Sequence, residues 1–178
     1  MDTVQAEEIK WLWKPYIPFG KLTIVQGDPS EGKTTFSLWL ASLLTQGKCF
    51  DEAGNLIQTS PVNVVYQTVE DGLADTVKPR LMAAGADCSR VKVIDDSEKS
   101  LYMDDERLEE VLRETKAKLL ILDPLQAYLG DRVDMNRANE AREMTKKLGT
   151  MAECTGCAVI LIGHMNKGSG AKAAYRLD

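Results

Sequence analysis

The stretch GDPSEGKTT, residues 27–35, decides the fold of this chain. It sets a glycine, four further residues and a Gly-Lys-Thr triplet between an apolar run at 21–27 and a helical pattern that begins at residue 34. Glycines at both ends let the backbone turn sharply from strand to helix, so that unpaired amides and the positive end of the helix dipole face an anion. The stretch therefore predicts a phosphate-binding loop.

The residue types in this loop indicate a nucleoside triphosphate as the anion. Lys33 is expected to reach the β- and γ-phosphates of ATP, and the hydroxyl of Thr34 is expected to take a place on Mg²⁺. The alternative is a glycine-rich turn that contains Lys-Thr by chance, but this one has the strand and the helix that phosphate binding requires. We expect the nucleotide to contact Gly27, Asp28, Pro29, Ser30, Glu31, Gly32, Lys33, Thr34 and Thr35.

Short apolar runs alternate with amphipathic helical patterns along the chain. The runs are mostly β-branched, which predicts strands buried on both faces at 21–27, 62–69, 91–95, 118–125 and 157–163. Apolar residues recur at helical spacing between them, which predicts helices at 34–45, 73–84, 105–116 and 137–151. Pro79 predicts a kink or a late start in the second helix. The alternation indicates an α/β fold, with a mostly parallel central sheet and helices on both faces.

Length and composition narrow the class of protein. A chain of 178 residues without internal repeats or linker-like stretches is expected to form a single domain over 1–178. A net charge of −5 disfavours a general DNA-coating role, because DNA contact then requires a local basic patch.

The acidic start and the lack of a long apolar run predict a cytoplasmic protein with no membrane segment. The four cysteines are expected to be free, and Cys154 and Cys157 lack the second pair that a zinc site needs.

Carboxylates at two strand ends are expected to complete the site. Asp123 follows four apolar residues of the fourth run, which places it where Mg²⁺ is held beside a phosphate loop. An aspartate that starts a turn before Pro124 is the alternative. Glu70 and Asp71 follow the second run, and a carboxylate there can polarise the water that attacks the γ-phosphate. We favour Glu70 as the base, with Asp71 able to cap the next helix.

The last apolar run is followed by His164, Asn166 and Lys167. A polar side chain just past a central strand can contact the γ-phosphate and respond to its presence, which suggests His164 as a sensor. A histidine with no functional role is the alternative. Lys167 could act on the bound nucleotide or on that of a neighbouring subunit.

Taken in order, these segments resemble the RecA-like ATPases of the RepA type, which are hexameric replicative DNA helicases of plasmids, phages and integrated elements. The segment WLWKPYIPFGKLTIVQGDPSEGKTT is similar to that family's opening strand and Walker A motif, and VVYQTVEDGLADTVKPRLMAAGAD is similar to its catalytic-glutamate segment. LLILDPLQAYL is similar to its Walker B motif, and VILIGHMNKGSG is similar to its sensor strand. The resemblance implies that Lys33 and Thr34 bind ATP, Glu70 is the catalytic acid, Asp123 orders Mg²⁺ and His164 is the sensor.

The sequence departs from that family's pattern in two respects. Ser30 stands where the loop usually has glycine, which is expected to be tolerated if its φ is negative. The sequence stops at Asp178, where the family continues through a DNA-facing loop and further strands, one of which carries an arginine finger. We therefore expect an ATPase core without the family's C-terminal strands, which hydrolyses ATP slowly as a monomer or weak oligomer. Its full-length form is expected to be a homo-hexamer that binds single-stranded DNA.

Three functions remain open on the sequence. The leading one is the ATP-binding and ATP-hydrolysing core of a helicase-like protein in DNA replication or recombination. A small-molecule P-loop kinase shares the loop, although no compact arginine-rich lid is present. A nucleotide-gated regulatory or binding module is the non-enzymatic alternative.

Overall fold

A computed structural model of the chain describes residues 5–6, 8–129 and 138–164. The helices are α1 (Lys33–Thr45), α2 (Lys78–Ala83), α3 (Glu106–Thr115) and α4 (Ala138–Thr155). The strands are β1 (Trp11–Trp13), β2 (Ile17–Pro18), β3 (Leu22–Gly27), β4 (Lys48–Phe50), β5 (Leu56–Gln58), β6 (Val64–Thr68), β7 (Val91–Lys92), β8 (Leu119–Asp123) and β9 (Ala158–His164). The start of the fourth predicted helix, at residue 137, lies outside the described residues.

Five of the strands form a parallel sheet in the order β3-β9-β8-β6-β7. Its central strand, β8, is completely buried, as its apolar sequence predicts. Helices α1 and α2 cover one face, in a core that includes Leu38, Leu40, Val64, Tyr66, Leu81, Ile121 and Ile160. Helices α3 and α4 cover the other face, in a core that includes Leu108, Leu112, Leu120, Leu122, Leu148 and Leu161. The predicted α/β fold, with helices on both faces, is confirmed.

The strand predicted at 91–95 is wrong in its length, because pairing with β6 ends after Val91–Lys92. From there the side chain of Gln67 replaces main-chain pairing. Its Oε1 accepts from Ile94 N and its Nε2 donates to the Ile94 carbonyl, each at 2.9 Å. A buried amide side chain thus satisfies the polar groups that a longer strand would have paired.

The prediction that the first strand is buried on both faces is also wrong. β3 lies at the edge of the sheet and pairs only with β9 among the described strands. Leu22 packs against the core under α3 and α4, but Ile24 remains 56% exposed. A run of apolar residues therefore does not distinguish a central strand from this edge strand.

The helix predicted at 73–84 starts late, in agreement with the position of Pro79. A π-helical turn, Leu73–Val77, comes first, and the regular helix begins at Lys78. Proline is tolerated in the first turn of a helix because its missing N–H would have no helical partner there. The late start leaves the loop after β6 free of regular helix.

Two antiparallel hairpins, β1-β2 and β4-β5, were not predicted from the sequence. Their strands are two or three residues long, which is too short for a clear alternation of apolar and polar residues. Aromatic packing attaches them to α1: the ring of Trp13 stacks on Phe50 at 4.3 Å and lies 6.1 Å from the rings of Phe36 and Trp39. The hairpins therefore border the helix that follows the phosphate loop.

The described part of the chain bears on the predictions about membrane segments and about the cysteines. No helix there is long and apolar enough to cross a membrane. The cysteines are free, as expected, with Cys154 exposed and Cys157 buried. Burial raises the pKa of the Cys157 thiol to about 12, so this thiol is protonated at neutral pH.

Candidate nucleotide-binding site

The sheet brings the separate sequence segments to one edge. All five strands run in the same direction, so their carboxyl ends meet there. Gly27 at the end of β3 pairs with His164 at the end of β9, and Thr68 at the end of β6 pairs with Asp123 at the end of β8. The phosphate loop, Asp123 and the segment after β6 therefore share the edge at which ligands bind in open parallel sheets.

The loop has the geometry that its glycines predict. Gly32 has a φ of +80° and immediately precedes α1. The first main-chain hydrogen bond of this helix is donated by Phe36 N to the Gly32 carbonyl, at 2.8 Å. The amides before Phe36 therefore have no carbonyl of a preceding turn to bond. A Cβ at Gly27 would meet the carboxylate at the end of the Glu31 side chain, which would have to shift. Together these features form a cradle of main-chain donors for an anion.

Lys33 is buried within this loop, with 8% of its surface exposed. Its Nζ donates to the carbonyls of Gly27, at 3.0 Å, and Asp28, at 2.6 Å. Glu31 is exposed, and its Oε2 accepts from Asp28 N at 2.8 Å. The ammonium group is therefore held by neutral carbonyls rather than by a carboxylate, which leaves its charge available for a phosphate.

Ser30 does not have the negative φ at which serine is expected to be tolerated in this loop. Its φ is +67°, in the left-handed region that favours glycine. A non-glycine residue in that region costs about 1–2 kcal/mol, because Cβ approaches the following carbonyl oxygen. The turn of the loop imposes this conformation on serine, so the loop is strained at this position.

Asp123 is almost completely buried, with 3% of its surface exposed. The hydroxyl of Thr34 donates to its Oδ2 at 2.7 Å, and the hydroxyl of Tyr66 donates to the same oxygen at 3.1 Å. Burial, together with the adjacent Asp123 carboxylate, raises the pKa of the Tyr66 phenol far above its usual value. The phenol therefore remains a hydrogen-bond donor at all ordinary pH values.

The donor set around Asp123 fits Mg²⁺ better than a transition metal. Mg²⁺ prefers oxygen ligands and is usually held by one or two protein groups together with waters and substrate phosphates. Thr34 and Asp123 supply a hydroxyl and a carboxylate, already in contact. In the described residues no group of three or more His, Cys, Asp or Glu side chains could form an all-protein metal site. The residues present therefore fit a magnesium ion that is held jointly with a nucleotide.

Glu70 and Asp71 lie side by side but in different environments. The hydroxyl of Thr68 accepts from Glu70 N at 3.3 Å and from Asp71 N at 3.4 Å, which shapes the turn after β6. The Glu70 residue is exposed, whereas the Asp71 carboxylate pairs with Arg80 at 3.4 Å. The helical turn that follows has no side-chain cap, so the suggestion that Asp71 caps it is wrong.

Of the predicted sensor residue, His164, the structure describes only the main chain. His164 ends β9 beside Gly27, between the strands that carry the loop and Asp123. Its side chain, Asn166 and Lys167 lie outside the described part of the chain. The sensor assignment for His164 therefore stays a prediction.

Sequence reasoning missed Tyr66 as a member of this site. It lies on β6, two residues before Thr68, in a run that was interpreted as apolar core. The hydroxyl of a buried tyrosine usually finds a hydrogen-bond partner, and a tyrosine within an apolar strand pattern is the available signal. The partner itself is not evident from the sequence, because Tyr66 and Asp123 are 57 positions apart.

The chain is similar to known proteins over nearly its whole length. Residues 2–170 match a family of AAA domains, AAA_25. A DNA repair protein RadA of Halalkalibacterium halodurans is 28% identical over 179 residues, which covers 99% of this chain and 34% of that protein. The chain thus spans about a third of the length of this relative.

A solved structure supports the same assignment at the level of fold. The crystal structure of a KaiC-like protein from the archaeon Pyrococcus horikoshii OT3 has a TM-score of 0.62 and 18% identity, over 93% of this chain and 76% of that protein. The family match and the shared fold agree with the phosphate loop at the edge of the parallel sheet. The chain therefore belongs to the AAA domain family and has the α/β fold of a P-loop NTPase.

Proposed function

We propose that this chain is the ATP-hydrolysing core of a DNA-processing ATPase related to the RepA-type helicases. The observation that carries the proposal is the bond between the loop hydroxyl of Thr34 and the buried carboxylate of Asp123, at 2.7 Å. It joins the first turn after the phosphate loop to the end of β8, and the segment carrying Glu70 follows the adjacent strand. Binding and water-activating groups thus share one edge of the sheet.

In this proposal, Lys33 moves from the loop carbonyls to the β- and γ-phosphates of ATP. The loop amides hold the phosphate chain, and the positive end of α1 offsets its negative charge. Glu70 orients a water for in-line attack on the γ-phosphate and accepts its proton. His164 contacts the γ-phosphate from the end of β9 as a sensor.

Thr34 and Asp123 are the groups that would hold Mg²⁺. When bound, the ion neutralises charge that develops on the phosphate oxygens. Asp123 acts here as a fixed acceptor, since its carboxylate is already oriented by two hydroxyl donors.

The DNA-related part of the proposal is supported by the relative named DNA repair protein RadA and by the order of segments that resembles the RepA type. Both replication and recombination or repair remain within the proposal, in a plasmid, phage or other mobile element. The full-length form is proposed to act as a homo-hexamer on single-stranded DNA. Light scattering at micromolar concentration with ATP measures the oligomeric state of the purified chain.

The test measures both ADP formation and phosphate release by the purified chain, alone, with single-stranded DNA and with small acceptors such as nucleosides and sugars. Hydrolysis gives both products, whereas transfer to an acceptor gives ADP without free phosphate. Stimulation by DNA is expected. Turnover that depends on an acceptor would identify a small-molecule kinase instead, and nucleotide binding without turnover would identify a nucleotide-gated module. The Glu70→Gln variant, purified in parallel, shows how much of the release comes from contaminating ATPases.

A further inference from the structure

Tyr66 is the group at this edge whose chemistry the proposed function does not use. Its side chain is completely buried on the face of β6 that is covered by α1. Tyr66 pairs with Ile121 across the parallel ladder, so Asp123 is its diagonal neighbour on the same face. A long aromatic side chain can reach that far, and the phenol oxygen lies 3.1 Å from Asp123 Oδ2.

The phenol and the Thr34 hydroxyl donate to the same carboxylate oxygen. Two donors from different directions fix the rotation of the Asp123 carboxylate. Oδ2 is thereby occupied, and Oδ1 is the oxygen that remains to accept from a metal-bound water. A buried carboxylate held by only one donor would be free to rotate away from this orientation.

We propose that Tyr66 is a positioning residue for the metal site: it holds Asp123 in the orientation that binds Mg²⁺ together with a nucleotide. This inference rests on the proposed function, because it assigns Asp123 to Mg²⁺. Tyr66 itself touches neither the nucleotide nor the metal. We expect its effect on the metal to pass through Asp123, and that is the property to test.

The probe is Mn²⁺, whose electron paramagnetic resonance signal separates free from bound ion, in the presence of a non-hydrolysable ATP analogue. Tyr66→Phe removes the hydroxyl and keeps the ring. Loss of a group that orients a metal ligand typically weakens metal affinity 10- to 100-fold, and we expect about 10-fold here, since Thr34 still holds Asp123. Affinity for a fluorescent nucleotide in EDTA should stay within about twofold of the wild-type value, because the loop itself is unchanged.

The matched control is Tyr128→Phe. Tyr128 is also a completely buried tyrosine, in the core on the opposite face of the sheet, and its hydroxyl has no hydrogen-bond partner among the described residues. This variant should leave Mn²⁺ affinity unchanged. Thermal unfolding of both variants shows whether the loss of a buried hydroxyl alters the fold.

A double-mutant cycle tests whether the effect passes through Asp123. In an Asp123→Asn background, the further change Tyr66→Phe should have no additional effect on Mn²⁺ affinity. The inference is wrong if Tyr66→Phe binds Mn²⁺ as tightly as the wild type, if Tyr128→Phe shows the same loss, or if the loss persists in the Asp123→Asn background. A wild-type chain that binds no nucleotide would overturn the proposed function itself, whereas these three outcomes overturn only the role of Tyr66.

Discussion

Asp123 ends β8 and Glu70 follows the neighbouring strand β6, but the first residue is buried and the second is exposed. Asp123 is 3% exposed and accepts from two hydroxyl groups of other elements. Glu70 lies in a turn that is shaped by Thr68, at the surface of the same edge. The comparison teaches that contacts with other elements fix Asp123, the proposed magnesium ligand, inside the fold, whereas Glu70, the proposed base, lies at the surface.

The phosphate loop, like the turn that carries Glu70, is held by contacts within its own segment. Lys33 and Glu31 are held by main-chain groups of the loop itself. Such contacts can be exchanged for phosphate contacts without disturbing the core of the sheet. Changes in the loop and at Glu70 should therefore alter nucleotide chemistry more than stability.

The largest effect is expected from Lys33→Ala. Loss of its charge should reduce ATP affinity strongly and lower turnover by at least about 100-fold, as does the loss of one preorganised donor in other enzymes. Isothermal calorimetry and phosphate release measure the two effects. The control is Lys21→Ala, since Lys21 is exposed and pairs with Glu153 away from the loop. Unchanged turnover in Lys33→Ala would refute the assignment of the loop.

Next in size is Glu70→Gln, which should retain binding of ATP and Mg²⁺ but lose hydrolysis by about 100-fold or more, because an amide cannot accept the proton of water. Asp71→Asn is the matched control and should be milder. Its pairing with Arg80 is exposed, and such pairs contribute at most about 1 kcal/mol. Single-turnover hydrolysis compares the two variants, and the opposite order of severity would move the base to Asp71.

A smaller effect, on stability, is expected from Ser30→Gly. Glycine adopts a positive φ without the steric cost of serine, so unfolding should require about 0.5–1 kcal/mol more free energy after the entropy cost of glycine is subtracted. Urea unfolding measures this. Lys116→Gly provides a comparison at a distance from the site, because Lys116 also has a positive φ, of +53°, at the end of α3. Stabilisation by Lys116→Gly alone would show that the loop is not strained at Ser30.

The smallest effect is expected from Glu31→Gln. The carboxylate accepts from a loop amide, that of Asp28, so it lies close to where the phosphates of ATP would bind, and its negative charge opposes them. Because solvent screens exposed charges, its removal should raise ATP affinity by only about two- to fivefold. Fluorescence titration at low and high salt measures the change, which should diminish at high salt. Weaker binding by the variant would indicate that the bond from Asp28 N to Glu31 orders the loop for the nucleotide.

The sequence by itself determined the features that depend on neighbours along the chain. The glycines of the loop, the alternation of buried strands and amphipathic helices, and the position of Asp123 after an apolar run are all local patterns. Local patterns predict element type because side-chain period and backbone conformation are linked. The α/β fold and the meeting of strand ends at one edge follow from them.

Only the tertiary structure decided the features that depend on which elements pack together. Pairing of β7 stops where a side chain, that of Gln67, bonds Ile94 in place of the main chain. Ser30 takes a positive φ, a conformation that serine disfavours and that the sequence does not reveal. Tyr66 reaches Asp123 because β6 and β8 are adjacent in the sheet, although the two residues are 57 positions apart. Contacts of this kind arise from the three-dimensional arrangement of the strands, which no local pattern of residues encodes.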